Sequence, residues 1–283
     1  MKKAFLTTCL SALCLLLVTS ANAQITTPAP SPWSKTEQMV GLTKVTVEYS
    51  RPSVKGRTIF GDLVPYDKAW RTGANQATKL TFDADVMFGG KEVKAGSYAM
   101  ITKPGASSWS VMLYPHESNS VGSYMDTDVE PITVSAQSES MGDVRSESFV
   151  ILFNDLTNNG ANLYMIWDNT AAMVPIGVHT SKVVEAAIEK TMAGPSAGDY
   201  YAAANYYAGE GKNLEQAMEW MNKSMDMGNK RFWTLRAKSL LQAKMGDKAG
   251  AIMTAKESLE MAKEAGNDDY IKMNTESIAK WGM

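Results

Sequence analysis

Apolar and polar positions alternate with a period of two through the middle of this chain, the pattern of strands with one buried face. Val45, Val47 and Tyr49 alternate with Lys44, Thr46 and Glu48. Leu80, Phe82, Ala84 and Val86 alternate with Thr81, Asp83 and Asp85. Gly89-Gly90 marks a turn, and Tyr98–Thr102, then Trp109, Val111 and Leu113, continue the pattern. Ile132 and Val134 extend it, as do Phe149, Ile151 and Phe153, and Leu163, Met165 and Trp167. Asn158-Asn159-Gly160 supplies a turn between the last two sets. Val174, Ile176 and Val178 predict a closing strand. No helical period intervenes, so residues 42–179 are predicted to form an all-β antiparallel sandwich or barrel. Alternation alone does not choose between the two.

At Thr180 the period lengthens. Val183, Val184, Ala187 and Ile188 recur at helical spacing, and Gly194-Pro195 stops that helix. Residues 180–283 are predicted to be all-α. At an offset of 34, Tyr201–Met227 aligns with Leu235–Met261, setting Ala203 on Ala237, Ala217 on Ala251 and Ser224 on Ser258. This resembles tetratricopeptide helical hairpins, with Tyr270–Trp281 as a capping helix.

The first residues change the compartment. Lys2 and Lys3, the apolar run Ala4–Val18 and the small residues of Ala21-Asn22-Ala23 predict a signal peptide over 1–23, cleaved before Gln24. The expected location is periplasmic or extracellular. The apolar run is too short to span a membrane. Cys9 and Cys14 both fall within it, so the mature chain has no thiol, disulfide or cysteine-bound metal. Losing Lys2 and Lys3 from 28 basic residues, against 30 acidic ones, leaves a net charge of −4. That disfavours nucleic acid as a partner. Residues 24–41, with Pro28, Pro30 and Pro32, are predicted to be an extended lead-in pinned by Trp33.

One stretch fits neither period. Between two strands, Arg51–Thr78 gathers Arg51, Arg57, Tyr66, Asp67, Trp70, Arg71 and Asn75. Gly56, Gly61 and Gly73 give it turns, while Ile59, Phe60, Leu63 and Val64 are expected to dock it on the sheet. Guanidinium forks recognise carboxylate, sulfate or phosphate. Trp and Tyr faces stack on sugars or cations, and Asn offers a donor and an acceptor. These seven residues are the candidate ligand site. The competing role for the arginines is structural, holding backbone carbonyls and nearby carboxylates of a folded loop.

The same stretch carries a family resemblance. YSRPSVKGRTIFG (49–61), LVPYDKAWRTGANQAT (63–78) and KEVKAGSYAM (91–100) resemble the uncharacterised secreted family catalogued as domain of unknown function 2911. The likeness runs from about Pro32 to Ile176 and implies a fold and a compartment, but no activity. It departs after Asp128, where the family tends to place an arginine and this chain has Val129-Glu130-Pro131.

Other chemistry is sparse. His116 and His179 have no ligand-spaced companions, so no metal or other cofactor is implied. No G-x-S-x-G elbow is present. Met218, Met221, Met225 and Met227 cluster in the helical tail, and their helical spacing reads as packing rather than a soft-metal site. The expectation is an exported binding protein, taking a small polar or anionic ligand or a glycan, with a protein partner on its helical tail. The alternatives are an envelope hydrolase acting on glycans or peptides, and a structural envelope-assembly scaffold.

Overall fold

The computed structural model describes residues 27–192 and 194–282; the signal peptide and its cleavage point lie outside them. The chain divides into two compact units, the first ending at Val178 and the second beginning at His179.

The first unit is an antiparallel sheet curled into a near-barrel. Its strands are β1 (Trp33–Val40), β2 (Thr43–Ser50), β3 (Thr78–Phe82), β4 (Val86–Phe88), β5 (Lys91–Val93), β6 (Gly96–Pro104), β7 (Ser108–Pro115), β8 (Ile132–Ser140), β9 (Ser146–Thr157), β10 (Gly160–Asp168) and β11 (Thr170–Val178). Their spatial order is β1-β2-β3-β6-β7-β8-β11-β10-β9, with β4 on β11 and β5 on β4. The two ends are drawn together by the segment after β2. Ser53 bridges Ser148, the Val54 amide donates to Glu147 O (2.8 Å) and the Phe149 amide to Pro52 O (2.8 Å).

Three features differ from the sequence pattern. The expected lead-in holds a strand: β1 pairs along its whole length with β2, from Trp33 opposite Ser50 to Val40 opposite Thr43. WSKTEQMV lacks apolar alternation because, apart from Val40, this outermost strand stays exposed or half-buried. The run Leu80–Val86 breaks into two strands, because Asp83 turns aside and its carboxylate accepts the Lys44 amide (2.8 Å). β11 does not close the sheet; it lies inside, between β8 and β10.

The core faces alternate as the pattern requires. Val45, Val47 and Tyr49 of β2 join Leu80, Phe82, Tyr98, Met100, Trp109, Phe149 and Trp167 in the main core. From the opposite face of β6 and β7, Ala99, Ile101, Met112 and Tyr114 form a second, smaller core. A one-turn helix, α1 (Gly122–Met125), covers it with Tyr124. So the 116–131 connection is held on the outer face of the sheet.

The second unit is helical: α2 (Thr180–Thr191), α3 (Ala197–Glu210), α4 (Leu214–Asp226), α5 (Phe232–Lys244), α6 (Lys248–Glu264) and α7 (Asp268–Trp281). Ser196 and Asp199 form a capping box at the start of α3, and Gly211 ends it in the left-handed region (φ 69°). Ala217 and Ala251 are fully buried. Ser224 donates to Ala197 O (2.6 Å) and Ser258 to Phe232 O (2.7 Å), a recurrence near the 34-residue offset. Among the described residues, no helix is long and apolar enough to cross a membrane.

Candidate functional site

The Arg51–Thr78 stretch is folded tightly onto the sheet. Ile59 and Val64 are buried and Phe60 packs on the main core, whereas Leu63 is exposed and does not anchor the loop. Trp70 pairs with Thr102 of β6 through both backbone bonds (2.7 and 2.9 Å). Thr78 takes up the pairing again opposite Met100, so residues 71–77 are a loop ejected between two points on one strand. Gly73 makes that ejection possible. Its φ is 152°, and a Cβ there would meet Ser50 O at 2.9 Å.

The seven residues fall into separate roles. Arg51 donates to Phe149 O (2.9 Å) across the seam. Arg57 donates to Val54 O (3.0 Å) and Ser53 O (2.6 Å). Tyr66 is exposed, its ring against Gly61, and the Asp67 amide donates to Pro104 O (2.8 Å). Trp70 belongs to an aromatic cluster: stacked on Trp167 (5.9 Å, 15°) and edge-on to Phe60, Trp109 and Phe149. Its indole N–H donates to Gly73 O (3.1 Å). Arg71 donates to Asn75 O (2.7 Å), and the Asn75 amide to Ser50 Oγ and Ser31 O (3.2 Å each). All three arginines thus bond backbone carbonyls.

Beside this loop lies a cavity of about 320 Å³ on the outer face of β2 and β3, and none of the seven lines it. Its floor includes Glu48 and Lys79, directly opposite each other on β2 and β3 and ion-paired at 3.3 Å. Ser50 continues the floor, and Gln76 and Ala77 bound it from the ejected loop. Trp33, 62% exposed, stands on one side, and His116 and Asn119 on the other. The Ala77 amide donates to Asn119 O (3.0 Å), which fastens that wall to the loop. His116 Nε2 is buried without a hydrogen-bond partner.

The seven residues singled out in the sequence adjoin the cavity without lining it. Arg71 and Asn75 stand behind the cavity: Arg71 steadies Asn75, and Asn75 fixes Ser50. Trp33, Glu48, Lys79, His116 and Asn119 come from four separate places in the chain, and only register brings them together. Glu48 opposite Lys79 was a usable signal, since both are polar positions in strands that follow one another. Among the described residues, no cluster of metal-ligating side chains occurs.

The family model for a protein of unknown function, DUF2911, matches residues 31–176, and the chain belongs to this family. No curated protein and no solved structure matches it. The match spans the near-barrel, with the ejected loop and the cavity inside it.

Proposed function

We propose that this chain is an exported binding protein whose β unit takes a small polar ligand, a sugar or the end of a glycan, in the cavity beside Trp33. One observation carries the reading: an exposed indole stands over a concave, mostly polar lining. The volume of about 320 Å³ is within the range of about 300–1,000 Å³ typical of ligand sites. An indole face stacks on the apolar face of a sugar ring. The Gln76 and Asn119 amides and the Ser50 hydroxyl offer donors and acceptors to its hydroxyls. Glu48 and Lys79 neutralise each other, which favours an uncharged ligand over an anion. Glycoside hydrolysis needs two carboxylates, and among the described lining residues Glu48 is the single one. Binding is therefore favoured over a hydrolase.

Residues 1–23 support export to the periplasm or beyond, and the helical unit, with its tetratricopeptide-like offset, is suited to docking a protein partner. Mass spectrometry of the envelope fraction is expected to find the mature N-terminus at Gln24. The binding reading is tested by a thermal-shift screen of residues 24–283 against mono- and disaccharides. A ligand at about 100 times its Kd adds roughly 2.7 kcal/mol to stability. A shift that vanishes in Trp33→Ala and Gln76→Ala supports the site; shifts that persist unchanged in both variants overturn it.

A further inference from the structure

We infer that the cavity beside Trp33 is one of two subsites, and that the ligand is an oligosaccharide crossing the His116–Asn119 turn; this rests on the binding reading above. A second cavity of about 210 Å³ opens on the other side of that turn. Its lining includes the rings of Tyr114 and Tyr124, 5.4 Å apart, with Ser118, Thr127 and Glu117 supplying polar groups. The turn is shared in a fixed way. His116 and Asn119 line the first cavity, and Glu117 and Ser118 line the second.

The partition is held rigidly. Tyr124 Oη accepts from the amides of Glu117 (3.2 Å) and Ser118 (2.8 Å) and donates to Ser118 O. Tyr124 is itself buried in the outer core. Register sets both cavities on the same face of the sheet: Lys79 pairs with Ala99 and Ala99 with Tyr114. The first lies over β2 and β3 and the second beside β7, with β6 between them. The second is smaller than the about 300–1,000 Å³ of a self-standing ligand site. That size suits an ancillary subsite for the next unit of a chain. Two linked subsites raise affinity without any new contact at the first.

The test is a titration of residues 24–283 with single sugars and tetrasaccharides of the glucose, mannose and N-acetylglucosamine series, followed by calorimetry or NMR shifts. For the series that binds, affinity is expected to rise at least about tenfold from the single sugar to the tetrasaccharide. Val129, 46% exposed, and Thr127 line the second cavity. Val129→Trp or Thr127→Trp is expected to lower tetrasaccharide affinity to that of the single sugar and to leave the single sugar unaffected. Trp33→Ala is expected to abolish binding of both. Equal affinity for both lengths, or unchanged tetrasaccharide binding in both blocking variants, overturns the second subsite and leaves the first standing. No binding at any length in any series overturns the carbohydrate reading and this inference with it.

Discussion

The hydroxyl of Tyr49 sits between the amide and the carbonyl of Ile151, accepting from the first at 2.8 Å and donating to the second at 3.3 Å. The two residues are 102 positions apart, on β2 and β9, at the seam where the curled sheet nearly closes. Tyr49 is buried, with its ring edge-on to Phe149 at 5.7 Å. A single side chain thus serves a free backbone edge. Tyr49→Phe keeps the ring and strands both groups of Ile151. Leaving buried groups unpaired costs about 1–3 kcal/mol. Urea denaturation is expected to show that loss with an unchanged m-value, because the folded core is otherwise the same.

The strands were legible because one face of each is buried and the other is wet. Val45, Val47, Leu80, Leu113 and Leu163 announce that directly. β1 was not legible, since an outermost strand carries no apolar face; its place is set by backbone pairing to β2. The candidate site was half legible. Glycines and mixed polar side chains marked Arg51–Thr78 as special, but Trp70 went into the core and the arginines to backbone carbonyls. The cavity was illegible because its walls come from β1, β2, the ejected loop and the turn after β7. No local pattern reports a juxtaposition of that kind.

In the helical unit, Ala217 and Ala251 are both fully buried, in α4 and α6. Neither methyl group is reached by solvent. Ala217→Trp and Ala251→Trp are each expected to cost at least about 1–3 kcal/mol through overpacking. Circular dichroism melts check this, and an unchanged Tm in both would mean that the helices slide apart freely at these positions.

Asp155 on β9 accepts from Asn162 Nδ2 (2.8 Å) and Tyr164 Oη (2.7 Å) of β10. These bonds, Asn162 first, hold its carboxyl below the ordinary value, and the same contact pushes the Tyr164 hydroxyl up. A depressed carboxylate contributes stability above its unfolded value and loses it as pH falls through the folded one. Asp155→Asn is therefore expected to make the acid limb of the stability curve slightly shallower as pH falls below the ordinary aspartate range. Denaturant midpoints at neutral and acid pH read it out; an acid limb as steep as the wild type's would place the linkage on other carboxylates.

The last relationship joins the loop to the cavity. Arg71 is exposed and bonds a backbone carbonyl, Asn75 O, at 2.7 Å. Removing it strands no buried charge, so Arg71→Ala is expected to cost under about 1.5 kcal/mol. The roughly 3–5 kcal/mol of a broken buried ion pair does not apply. Asn75 has a φ of 62°, a conformation that glycine accepts without strain. Asn75→Gly therefore deletes only the amide that holds Ser50 Oγ and Ser31 O. Ser50 is in the cavity floor, and Ser31 immediately precedes the Pro32-Trp33 pair that leads into β1. Asn75→Gly is expected to leave the Tm within a few degrees of wild type and to weaken saccharide binding several-fold. Trp33→Ala, acting directly, is expected to abolish it. Unimpaired binding in Asn75→Gly, with Trp33→Ala inactive, would mean that the strand pairing of β1 holds Trp33 by itself. A strongly destabilised Arg71→Ala would instead make the loop a structural brace and nothing more.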